Sequence, residues 1–281
     1  MRGAGKPAQL LWPFQLAILL FTVAGVVSRA TAQTWYNFEP TDLTIYSADG
    51  SHIVGHSHYE ISGVDGGAEI RGEARYLDGE SDVERDRIEF NTPDERPRLA
   101  RFSHIFFLSN GELRMQTEAD IKSGIGTCNR YEDRGTGIVS EQMVFPPDTY
   151  AGVTTLIPLE YALRSGHDTG IKFHAFSCAP KPRIFELDAS VDSSQDKRTL
   201  HEGNLVRIRV RPNFGWFTVL AMPFLPRFYE WFDPSQGFRY MGGTTERYYK
   251  GPSVDLVRMP PQPEYRKPPV VSAVPIEPRA Q

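Results

Sequence analysis

The feature that most constrains this chain is a repeated alternation of apolar and polar residues in short runs, each cut by a turn containing glycine. A period of two puts alternate side chains on opposite faces of a strand. Asp-Gly or Asn-Gly between two such runs closes a hairpin. Leu43–Tyr46 leads into Asp49-Gly50, and His52–Val64 returns to Asp65-Gly66-Gly67. Ala68–Tyr76 runs to Asp78-Gly79-Glu80, Val83–Phe90 follows, and Arg98–Leu108 and Leu113–Ala119 flank Asn110-Gly111. Turn signals about every 12–15 residues describe an antiparallel meander.

The middle of the chain changes character. Pro146-Pro147-Asp148 precedes a segment, Thr149–Arg164, that reads as a short or broken helix. Asp148 is the expected cap, Pro158 the expected kink and Gly166 the expected stop. Strands resume at Ile171–Ser177, Arg183–Ala189 and Leu205–Arg211. In the last, Val206, Ile208 and Val210 share a core face, and Leu205, Arg207, Arg209 and Arg211 share a face for water or an anion. Trp231–Asp233, Phe238–Met241, Thr244–Lys250 and Ser253–Met259 complete the strand set, with Gly242-Gly243 and Gly251-Pro252 read as turns.

The two ends bound the address. Arg2 and Lys6, an apolar run over Leu16–Val27 and Ala30-Thr31-Ala32 form an export signal, so residues 1–32 are expected to be cleaved. The apolar run is shorter than the roughly 20 residues of a spanning helix, so no transmembrane span is expected in the mature chain. Without that leader the chain has 28 basic against 35 acidic residues, a net charge of −7, which argues against a nucleic-acid partner. Cys128 and Cys178 are the only cysteines, and in an oxidising compartment they are expected to form one disulfide. Seven prolines over Met259–Gln281 mark an extended, disordered tail. The residues between, 33–258, read as one β-rich domain.

Candidate chemistry is sparse. His56, His58 and Glu60 share a strand face and are the best metal candidates, but an outward polar face accounts for them as well. Asp78, Glu80, Asp82, Glu84 and Asp86 lack the glycine of a calcium loop and read as a charged turn and edge strand. Asp82-Val83-Glu84-Arg85-Asp86-Arg87 reads as a solvated strand face. There is no nucleophile elbow and no phosphate-cradling glycine loop, so neither catalytic residues nor a cofactor is assigned. Phe214–Phe232 concentrates aromatic residues between prolines and fits either a core or an apolar pocket. Its candidate ligand-binding residues are Trp216, Phe217, Phe224, Phe228 and Trp231.

The opening hairpins, the Pro-Asp segment running into Tyr161-Ala162-Leu163-Arg164, the paired strands and the late Trp231-Phe232-Asp233 resemble a family of uncharacterised exported bacterial proteins known as a domain of unknown function. The resemblance implies a mainly β fold: a strongly curved antiparallel sheet, an open or half barrel, with one short helix covering the concave face. Such a sheet is similar to periplasmic lipoprotein carriers. The expected role is binding or carrying an apolar ligand, a lipid or a lipidated partner, in the periplasm. Two other readings stay open. One is an interaction protein that meets an envelope partner through the sheet edge or the tail, and the other is an enzyme acting on envelope polymers.

Overall fold

The computed structural model describes residues 40–90, 96–130, 137–167, 169–179, 181–192, 204–213, 215, 228–248 and 251–258. The leader, the Pro-rich tail, Trp216, Phe217 and Phe224 lie outside the described residues. Among the described residues fifteen strands form one sheet. They are β1 Thr41–Ser47, β2 Ile53–Val64, β3 Gly67–Tyr76, β4 Ser81–Glu89, β5 Arg98–Phe107, β6 Leu113–Asp120, β7 Ile125–Arg130 and β8 Val139–Gln142. The second half contains β9 Thr149–Tyr150, β10 Ile171–Cys178, β11 Pro182–Val191, β12 Val206–Pro212, β13 Phe228–Asp233, β14 Arg239–Glu246 and β15 Ser253–Arg258. From one edge to the other the order is β8 back to β1, then β15 back to β9. Every pairing is antiparallel except β9 with β10.

The turns follow from residue chemistry. Gly50, Gly66, Gly79 and Gly111 all have positive φ, between 68° and 91°. Gly66 forms with Asp65 a two-residue hairpin in which Val64 faces Gly67. Gly242-Gly243 is not a turn. Both residues lie inside β14, so the two expected runs around them form one strand. β4 is not an edge strand but sits between β3 and β5.

The sheet curls until its two ends meet without pairing. Cys128 of β7 and Cys178 of β10 form a disulfide. Gly126 of β7 has no side chain, and the Phe176 ring of β10 packs against it, closer than a Cβ would permit. Lys181 and Glu141 form an ion pair across the same seam, 3.1 Å apart. The β9 end is tucked inside, where the Tyr150 hydroxyl donates to the Pro97 carbonyl at 2.8 Å. The result is a curled sheet, not a closed barrel.

A 3-10 turn, Gly152–Thr155, continues into helix α1, Leu156–Arg164. Pro158 does not kink it, because the missing amide falls in the first turn, where N–H groups have no partner in the helix. Asp148 does not cap it. Its carboxylate instead meets His174 Nδ1 at 2.8 Å. Gly166, at φ 72°, ends the helix as expected. Leu156, Ile157, Leu159, Ala162 and Leu163 are buried and join Ile70, Ile88, Phe102, Phe173, Ile208 and Phe232 from the concave face in one core. The expected helix on the concave face is therefore present, and it serves as a plug.

On β12, Ile208 and Val210 enter that core as expected. Arg207, expected to face water, is only 8% exposed and pairs with Asp192 at 3.3 Å. Because the seam relies on one covalent bond between cysteines 50 residues apart, Cys128→Ala/Cys178→Ala is expected to lower unfolding free energy by about 2–4 kcal/mol in urea titrations. Reductant should reproduce that loss in the native protein and leave the variant unchanged.

Candidate functional site

The polar interior starts from β4. Alternation places Asp82, Glu84 and Asp86 on one face and Val83, Arg85 and Arg87 on the other, and the acids face inward. Glu84 is 6% exposed and Asp86 3%. The expected solvated face is thus correct for the arginines only. Register fixes the rest. Tyr59, Gly72, Glu84, His104, Thr117 and Cys128 face one another in a single row across β2 to β7.

Glu84 accepts the Val153 amide at 2.6 Å, at the start of the 3-10 turn. An anion is favoured there by the orphan amides and the helix dipole. Gly152 makes the approach possible, since the Glu84 carboxylate occupies the space a Cβ would need, and its φ of 50° also suits glycine. Asp82 accepts from the Tyr76 hydroxyl at 3.1 Å and lies 3.4 Å from His104 Nε2. Burial raises the Asp86 carboxyl well above the usual carboxylate range, and the neighbouring Glu84 charge adds to it. Burial raises Glu84 also, while His104 and the Val153 amide hold it back. Burial works against the charged form of His104, but the Asp82 hydrogen bond and the Asp82 and Glu84 charges outweigh it and raise its pKa.

The facing wall comes from β13 and β14. Phe228, Glu230 and Phe232 pair with Val210, Ile208 and Val206 and so share their inward face. Glu230 stands opposite Gly243, and its carboxylate lies across β14 where a Cβ would otherwise sit. Burial pushes Glu230 up to about 8, and a hydrogen bond from Tyr240 offsets part of the rise. Tyr59 uses the same device, with its ring over Gly72. Burial raises the Tyr59 and Tyr240 hydroxyls well above the usual range.

Between these walls lies a cavity of about 360 Å³. Its polar lining includes Ser57, Tyr59, Asp82, Glu84, His104 and Glu230, and its apolar lining includes Leu43, Ile45, Phe102, Met115, Phe228 and Leu256. Val153 and Leu156 reach it from the plug. One side is built from stacked cations. Arg247 lies 3.7 Å from the Tyr76 ring centre and meets Asp78 at 2.7 Å and Glu80 at 2.8 Å. Arg114 lies 3.7 Å from the Tyr248 ring centre and 2.8 Å from Glu80. Guanidinium over an aromatic face is a favourable desolvated contact.

Of the sequence candidates, Phe228 lines the cavity. Trp231 faces the other way, opposite Arg207, beside Tyr229 with ring centres 6.0 Å apart. His56 and Glu60 are exposed on the outer face of β2, where His58 is held by Asp42 at 2.6 Å and Glu60 at 3.2 Å. No group of three His, Cys, Asp or Glu among the described residues is placed to hold a metal ion. Reading the residues one by one missed Glu84, His104 and Glu230. The available signal was glycine inside strands, which marks close approach of another group.

No family model matches the chain, and no curated protein matches it. Among solved structures it is similar to a β-barrel-like protein of a domain of unknown function, DUF1849, from Brucella abortus. The two share 13% identity with a TM-score of 0.45, over 78% of this chain and 94% of that one. No helix among the described residues is long and apolar enough to cross a membrane.

Two measurements check the wall. Gly243→Ala is expected to cost about 1–3 kcal/mol, because the new methyl displaces a buried carboxylate. In Glu230→Ala the same change should cost less, because only the Tyr229 carbonyl, 2.9 Å from the new methyl, is left in its way, a coupling that a double-mutant cycle reads directly. The second concerns pH. The folded pKa of Glu230, about 8, lies above its ordinary 4.5, so the folded state holds a proton that the unfolded state has lost. The stabilisation this gives is complete below about 4.5 and is lost as pH rises toward 8. Relative to Glu230→Gln, the native protein should therefore lose up to about 1.4 kcal/mol per pH unit across that window in urea unfolding.

Proposed function

We propose that this protein is exported through its N-terminal leader and works in the periplasm as a binding protein, holding a small ligand with an apolar part inside the curled sheet. The observation that carries the reading is the cavity itself, where apolar side chains and buried polar groups converge on one space. Ligand sites have this character, and they run from about 300 to 1,000 Å³. At about 360 Å³ the space fits a single small molecule or one short acyl chain better than a two-tailed lipid. The disulfide supports an oxidising compartment.

The ligand-binding residues are then Phe228 from the aromatic segment, with Leu43, Ile45, Phe102, Met115 and Leu256 beside it. The test is native mass spectrometry of the mature protein from its own envelope, followed by organic extraction. The expected result is a co-purifying small molecule, lost in Met115→Trp, which fills the cavity, while the circular dichroism spectrum is retained. A clean apo mass, together with no binding of any short-chain amphiphile by calorimetry, would overturn the reading.

A further inference from the structure

We infer that the ligand's buried end is an organic cation, an ammonium carrying a short apolar substituent. This inference rests on the reading that the cavity is a binding site, and it names the chemistry that the site selects.

The first support is charge. Asp82, Glu84, Glu230 and Glu246 line the cavity, against His104 and Arg247. Arg247 is already committed to Asp78 and Glu80, and His104 is committed to Asp82. Glu230 is left facing the cavity with no cationic partner among the described residues. Its Oε2 is sealed from solvent and takes no hydrogen bond there, and the Oγ of Ser57, a residue 6% exposed, is in the same condition. Both atoms are closed off from the cavity as well, Oε2 lying against Gly243, so what the wall offers a ligand is the rest of the Glu230 carboxyl, whose charge no cation of the described residues balances.

The second support is aromatic and independent of the first. Tyr59, Tyr240 and Phe228 line the same space and carry no cation among the described residues. The adjacent rings of Tyr76 and Tyr248 each already hold a guanidinium at 3.7 Å. Aromatic walls beside a carboxylate are the usual setting for recognising an ammonium group. An anionic head would find Glu230 holding its proton and gain no charge pairing from it, while a cation is paired by the carboxylate it draws out. A neutral alcohol gains none of the charge terms. On binding an ammonium, the Glu230 carboxyl becomes a carboxylate and its proton leaves to solvent.

The test compares three probes with one alkyl chain on the full mature protein by titration calorimetry: hexyltrimethylammonium, hexanol and hexanoate. The ammonium should bind at least tenfold more tightly than hexanol, with hexanoate weakest. Glu230→Gln should bring the ratio of ammonium to hexanol affinity down to about twofold or less. Equal binding of hexanol and the ammonium by the native protein overturns the cation inference and leaves the binding reading intact, as does a preference for hexanoate. Failure of all three probes to bind overturns the cation inference, and with a clean apo mass it overturns the binding reading too. The comparison on the native protein stands even if Glu230→Gln does not fold.

Discussion

The interior of this protein exists because a long sheet curls until its ends meet, and that meeting is made by side chains and one covalent bond instead of a hydrogen-bond ladder. Cys128–Cys178, Phe176 over Gly126 and the Lys181–Glu141 pair hold β7 and β8 beside β10 and the turn that follows it. With the curl fixed, β9 and α1 have an inside to occupy, and the apolar plug completes the core. The carboxylates of β4 and β13 then face each other across a space of defined size instead of facing water.

That placement works against stability. Burying an ionisable group without a full set of partners is costly, and the chain answers mostly by keeping protons on it. Asp86 and Glu230 both hold their protons far above the usual carboxylate range. Glycine lowers the steric part of the cost. Gly72, Gly152 and Gly243 lie beneath Tyr59, Glu84 and Glu230 and leave room for each side chain to lie flat against the wall. A core designed only for stability would place aliphatic side chains at these positions. Strain and unsatisfied groups of this kind collect at functional sites.

Strands and turns were legible because period two and Asp-Gly or Asn-Gly chemistry are local. Twelve residues of strand pattern in β2 or the two-residue turn at Asp65-Gly66 need no knowledge of distant chain. Which face of a strand points inward is not local. In β4 both faces are polar, and only the register with Ile70 and Phe102 on either side of Asp86 shows that the acids are inside and the arginines outside. The same limit misdirected Trp231. It belongs to an aromatic run, yet period two separates it from Phe228 and Phe232. Gly242-Gly243 was readable in two ways, as a turn or as a close approach, and the choice depends on Glu230 standing across from it. The disulfide was legible because only two cysteines exist.

The two sheet edges have a consequence for how the molecule behaves among many copies of itself. Among the described residues the open sheet of fifteen strands has two unpaired borders, and an unpaired border is a template on which another chain can add a strand. Here one border is β8, four residues long, and the other is β9, two residues long and anchored inside the curl through Tyr150. Strand addition needs length, and neither border offers it. The described sheet of a chain rich in alternating, β-forming sequence thereby presents little of the surface on which fibrils and edge-to-edge aggregates begin.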